Sequence, residues 1–156
     1  MSTPPGFLRS RSVRDDGQVD LLGPIDVDGS VKSGSGVTLT NDIIIREKLE
    51  AYGAIYINGS VSCGGRIKAY GNIIVRGYLS ASDKIKGSGK LKIEGALEGR
   101  DLEIYGNVSI QGSLRLVVYG SLTLIGPEDQ SWYYAEEPVQ IAGPVIRRDQ
   151  EADWDW

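Results

Sequence analysis

The side chains that most often carry enzymatic chemistry are scarce in this sequence. Its 156 residues include no histidine and a single cysteine, Cys63. Ser-His-Asp and Cys-His mechanisms and histidine-ligated metal sites are therefore impossible, and one thiolate does not make a zinc site. What remains is carboxylates, amines and hydroxyls, with 21 acids against 17 lysines and arginines and a net charge of -4. Cleavage of carbohydrate would need carboxylates clustered on long loops, which short regular turns do not provide. We therefore expect no enzyme, no cofactor and no metal.

Whatever positions these groups is written in a phrase of six residues. From Gly53 the chain reads Gly-Ala-Ile-Tyr-Ile-Asn, Gly-Ser-Val-Ser-Cys-Gly, Gly-Arg-Ile-Lys-Ala-Tyr and Gly-Asn-Ile-Ile-Val-Arg. Stepping by six from the aliphatic third residue gives Val19, Ile25, Val31, Val37, Ile43, Leu49, Ile55, Val61, Ile67, Ile73, Leu79, Ile85, Leu91 and Leu97 without a miss. Two residues after each anchor runs a second rhythm, with members of each series eighteen apart. Leu21, Leu39, Ile57, Val75 and Ile93 are large; Val27, Ile45, Cys63, Ala81 and Gly99 shrink along the chain, as do Ser33, Ala51, Ala69 and Gly87.

Alternate side chains of a strand share a face, so anchor and anchor-plus-two point inward together and the residue between them points out. Three hexads make one coil. The fold expected is all-β: a single-domain, triangular parallel β-helix, or β-solenoid, of about six coils of about 18 residues, wound right-handed like most parallel crossovers. An antiparallel meander would show Asn-Gly or Asp-Gly hairpin turns and gives no reason for a three-fold alternation of size. Cys63 falls in an inward column, where a small buried core residue is expected rather than a reactive thiol.

The outward rows read Asp20-Thr38-Tyr56-Ile74-Lys92, Asp26-Ile44-Ser62-Ser80-Glu98 and Lys32-Glu50-Lys68-Lys86-Glu103. None is a flat threonine array suited to ice, and none is a basic stripe suited to nucleic acid. The third is expected to be a solvated face of mixed charge.

The β-helix is expected to span residues 19–126. After Arg100 its register drops by one residue, which puts Leu102, Ile104, Val108, Ile110, Leu114 and Leu116 in the columns, and Leu122–Leu124 reads as the last clear strand. Residues 1–18 read as a flexible basic leader. In it Phe7, Leu8, Arg9, Arg11 and Arg14 are candidates for contact with an anionic membrane surface, each cation contributing about 1 kcal/mol. Residues 127–146, with Trp132, Tyr133 and Tyr134, read as a cap folded back over the last coil to hide its edge. Residues 147–156 read as an acidic flexible tail, in which Trp154 and Trp156 are candidates for a protein-partner motif. No apolar run approaches a membrane span and no secretory h-region opens the sequence, so a cytoplasmic protein, at most peripheral at the inner face of the membrane, is expected.

Runs such as Ile55-Tyr-Ile57-Asn-Gly59-Ser-Val61, Ile73-Ile-Val75-Arg-Gly77-Tyr-Leu79 and Ile93-Glu-Gly95-Ala-Leu97 have an aliphatic-x-aliphatic-x-Gly-x-aliphatic form. Over residues 19–126 the chain resembles in this the bactofilins, bacterial polymer-forming cytoskeletal proteins. The resemblance implies a right-handed triangular β-helix with short disordered tails, stacked end to end into nucleotide-free filaments and often attached to membrane by an N-terminal leader. The aromatic C-terminal segment departs from that pattern. Self-assembly would use the two terminal coils, through Val19, Leu21, Ile25 and Val27 at one end and Leu114, Leu116, Leu122 and Leu124 at the other. The alternative is a capped monomeric or dimeric binding module that holds a protein partner.

Overall fold

The computed structural model describes residues 5–104 and, beyond them, the backbone of strand segments at 108–110, 115–118, 122–125, 133–135, 140–141 and 145–148. The described residues contain strands and no helix. In chain order the strands are β1 (Leu8–Asp15), β2 (Val19–Leu22), β3 (Ile25–Ser33), β4 (Val37–Ile45), β5 (Leu49–Ala51), β6 (Ile55–Cys63), β7 (Ile67–Ala69), β8 (Ile73–Ala81), β9 (Ile85–Gly87), β10 (Leu91–Ile93), β11 (Ala96–Gly99), β12 (Leu102–Ile104), β13 (Val108–Ile110), β14 (Arg115–Val118), β15 (Leu122–Ile125), β16 (Tyr133–Ala135), β17 (Gln140–Ile141) and β18 (Val145–Arg148).

The strands pair in parallel, each with the strand one coil away, and so build three faces. Val19, Val37, Ile55, Ile73 and Leu91 stack in register on the first. Ile25, Ile43, Val61, Leu79 and Leu97 stack on the second. Val31, Leu49, Ile67, Ile85 and Leu102 stack on the third, where the last step is the shortened one. This is a parallel β-helix of about five turns at a spacing of about eighteen residues, continued by longer turns.

Every hexad anchor except Ile25, which is half-buried, lies in the core. Each aliphatic side chain sealed there contributes about 1.5–3 kcal/mol relative to exposure. Column shrinkage has a packing cause. A Cβ on Gly87 would stand 3.3 Å from Ile73 Cδ1 and 3.4 Å from Ile104 Cδ1, and one on Gly99 would stand 3.3 Å from Ile85 Cδ1. The isoleucine tips occupy the space that larger inward residues fill elsewhere.

The corner between the first and second faces is turned inside continuous strands β4, β6 and β8. There Asn41, Gly59 and Gly77 stack in register at φ of 68°, 142° and 135°. A side chain at Gly77 would collide with the carbonyl oxygen of Gly59. Positive φ and close stacking together require glycine at Gly77.

Three expectations change. Residues 8–15, expected within a flexible leader, form β1, which pairs in parallel with β3 and so extends the solenoid by part of a coil. Within residues 127–146, expected to fold back as a cap, the described strands continue the winding: β16 pairs in parallel with β13, β17 with β14 and β18, which runs on to Arg148, with β15. Arg147 and Arg148, expected in the tail, belong to β18. The one-residue drop is also overshot at the next face, because Leu97 stands opposite Leu116 rather than Leu114. Trp132, Leu114, Trp154 and Trp156 lie outside the described residues.

Candidate assembly ends and side faces

At the N-terminal end the terminal rung consists of β1 and β2, and each has a strand partner on one side only among the described residues, β3 and β4 respectively. Leu8 sits opposite Ile25 in an inward column yet is 69% exposed, because no rung covers it. Leu21, in the inward column, is half-buried against a core that is sealed one rung further in, and Leu22, an outward position by strand alternation, is 67% exposed. Val19 is buried. Ile25 and Val27, expected on this open end, carry β1 above them and β4 below, and Val27 has no exposure at all. They are interior residues.

The arginines expected in a leader are fixed on the rung. Arg9, Arg11 and Arg14 stand opposite Asp26, Asp28 and Lys32, the outward-facing positions of β3, and Arg9 donates to Asp28 Oδ2 at 3.0 Å. All three are exposed, and Phe7 just ahead of the strand is half-buried. The pairing breaks register between Arg11 and Val13, a bulge. Outward charges and a bulge on an edge strand discourage indiscriminate edge-to-edge pairing.

At the other end, Leu122 and Leu124 stand opposite Leu102 and Ile104 on one side and Val145 and Arg147 on the other. Leu116 lies in β14, which has β11 and β17 as neighbours. Leu116, Leu122 and Leu124, expected to terminate the rod, therefore lie on rungs with a neighbour on each side. Among the described residues, the strands with one partner at that end are β16, β17 and β18.

One shallow groove of about 290 Å³ gathers Arg46, Ser62, Cys63, Ser80 and Ser82 near the second face. Its chemistry is already committed. Arg46 holds Asp26 through two nitrogens, one of them at 2.9 Å, and the hydrogen bond to that nearly buried carboxylate raises the arginine's pKa. Cys63 donates to the carbonyl of Glu47 at 3.2 Å, and burial pushes its thiol up to about 11, so it is almost wholly protonated at neutral pH. Among the described residues, no three histidine, cysteine, aspartate or glutamate side chains are grouped to hold a metal ion.

The third outward row differs from expectation. Lys32 and Glu50 are partly solvated, with side chains 37% and 24% exposed, but Lys68, Lys86 and Glu103 are only 8%, 0% and 8% exposed. Part of the cause is local. The Lys68 ammonium lies 5.1 Å from the Tyr70 ring centre, Tyr70 stacks on Tyr52 at 5.1 Å, and Lys84 Nζ meets Glu103 Oε2 at 3.3 Å.

Comparison with protein-family models, with curated proteins and with solved structures finds no match for this chain. Among the described residues, no helix is long and apolar enough to cross a membrane.

Proposed function

We propose that the protein is a structural element that assembles end to end into rods or filaments without nucleotide, the role that its resemblance to the bactofilins implies. The observation that carries this reading is the open terminal rung, where Leu8 lies exposed and Leu21 only half-buried over an aliphatic core sealed one coil further in. Parallel strands add without limit when a new rung meets unpaired backbone groups and a matching apolar column. Top meets bottom as a heterologous contact, which generates a filament rather than a closed ring. Burying a leucine side chain contributes about 1.5–3 kcal/mol, against an association cost of at least about 4–15 kcal/mol, so the joint needs several columns and its backbone bonds together.

The exposed Arg9, Arg11 and Arg14 project sideways from this rung, which suits attachment of many copies to an anionic membrane at the cytoplasmic side. Sedimentation velocity and negative-stain microscopy at micromolar concentration test the assembly. The unaltered chain is expected to form elongated species, and Leu21→Arg, which puts a charge in the joint, is expected to sediment as a monomer. A monodisperse monomer for the unaltered chain at every concentration sinks the reading in favour of a binding module.

A further inference from the structure

The outward row of the first face runs Asp20, Thr38, Tyr56, Ile74, Lys92 on five rungs held in register. It starts on an acid, ends on a base and carries its large apolar side chains between them. Asp20 and Tyr56 are exposed, and Thr38, Ile74 and Lys92 are half-buried. Such a row is complementary to itself when reversed. Two copies set face to face with their rods antiparallel are related by a two-fold axis lying along the Tyr56 rung. That operation puts Asp20 against the partner's Lys92, Thr38 against the partner's Ile74 and Tyr56 against the partner's Tyr56.

The flanking residues fit the same operation. The corner ahead of this face carries Gly34, Tyr52 and Tyr70 on successive rungs, with the two rings stacked at 5.1 Å and both exposed. Reversal sets Gly34, which has no side chain, opposite the partner's Tyr70, so a gap meets a ring. No like charges come opposite each other in that column or in the rows that begin at Gln18 and Leu22. Rods laid parallel would instead oppose Asp20 to Asp20 and Lys92 to Lys92, so charge selects the antiparallel arrangement. Lys92 Nζ meets Glu94 at 3.4 Å, but Glu94 also holds Arg76 at 3.1 Å and stays paired when Lys92 turns to the partner's Asp20. The other two faces lack this property. The second row has acids at both ends, Asp26 and Glu98, and the third would set Lys68 against its own counterpart and is buried over its later half.

We infer that the first face is a self-recognition surface on which a second copy of this chain docks with its rod antiparallel, through an Asp20–Lys92 pair at each end of a patch centred on Tyr56. Five rungs of four-residue strands cover roughly 300 Å² on each copy. The total lies below the about 1,200 Å² of stable complexes, so the pairing is weak and reversible between free rods. The inference does not depend on end-to-end assembly, which leaves Thr38 and Ile74 of different copies apart.

Thiol cross-linking tests it on the full chain, with Cys63→Ala as background. A bis-maleimide with a spacer of about 8 Å reaches across faces that pack about 10 Å apart. Thr38→Cys and Ile74→Cys each leave Tyr56 and both charges in place. Mixed in equal amounts, the two are expected to form linked dimers on a denaturing gel, while either alone stays monomeric. Self-linking of the single variants as fast as the mixture, which parallel rods would give, overturns the inference, and so does an unlinked mixture. Charge exchange supplies a second reading. Adding Asp20→Lys to both variants is expected to lower the yield about tenfold, because two exposed pairs per dimer turn repulsive, and adding Lys92→Asp as well is expected to restore it. A yield indifferent to Asp20→Lys, or not restored by the double exchange, rejects the antiparallel register. Filaments that form without these links reject the lateral pairing and leave end-to-end assembly standing.

Discussion

Leu21 and Leu39 stand opposite each other in one inward column, yet Leu39 is fully buried and Leu21 is not. Residue type, column and neighbouring core are the same; the difference is that Leu39 has a rung on each side and Leu21 has one. Burial in a solenoid is therefore a property of neighbours, and each coil draws its stability from the two that flank it. The interior tolerates little, whereas the end holds unspent apolar surface.

The largest expected effect breaks the interior side of this contrast. Ile67→Asp puts a carboxylate between Leu49 and Ile85 at a site with no exposure, costing several kcal/mol against a total stability of about 5–15. Circular dichroism should show no cooperative melt. A variant that melts within a few degrees of the unaltered chain would contradict the nearest-neighbour account.

Next is the corner column. Gly77→Ala imposes a side chain at φ 135° and drives it onto the carbonyl of Gly59. Strain of about 1–3 kcal/mol plus the displaced backbone should lower Tm by roughly 6 °C or more. Calorimetry with an unchanged Tm would mean that the corner is looser than its stacking implies.

Cys63 gives a smaller effect with a sign fixed by burial. Its folded-state pKa of about 11 lies above the ordinary value of 9.0, so the folded chain keeps a proton that the unfolded chain has already lost. The corresponding stability is complete below pH 9 and is lost as pH rises through 11, about 2 kcal/mol of it by pH 10.5. Urea titrations at pH 8 and pH 10.5 should show that loss in the unaltered chain but not in Cys63→Ala. Equal losses would assign the pH dependence to other groups.

The smallest effect on stability belongs to the open rung. Leu21→Arg removes a half-buried side chain with a neighbour on one side, so its melting temperature should stay within a few degrees while its sedimentation changes. A large fall in Tm would show that Leu21 is held as the interior residues are.

The middle of the fold was legible because two columns repeat with one spacing, and size at Ala69, Gly87 and Ala81 follows from space left by neighbouring anchors. The first strand was not, although Val13 stands six residues before Val19 and opposite Val31. Its companion two residues on is Asp15, and the bulge moves the neighbouring contact from Phe7 to Leu8, so the second column is polar and the first is out of step. Past Ile110 the spacing lengthens: Leu102 to Leu122, then Val108 to Tyr133. Extra residues at the corners erase a fixed period without breaking the pairing, and an aromatic segment then looks like a separate structure. Burial of Lys86 left no trace in its own row, since alternation reports which way a side chain points and says nothing of what lies over it.

The glycine corner also bears on how such a chain can change its size over generations. Because Asn41, Gly59 and Gly77 superpose rung upon rung, each coil presents the next with the surface that it received. A tandem duplication of one turn's worth of coding sequence inside β4–β8 would leave every corner, column and row in phase. Insertion of a single residue there would put the inward columns out and the outward rows in. Between β4 and β8 inheritance can thus lengthen this molecule in whole coils, whereas past Ile110 the corners take extra residues with the pairing kept.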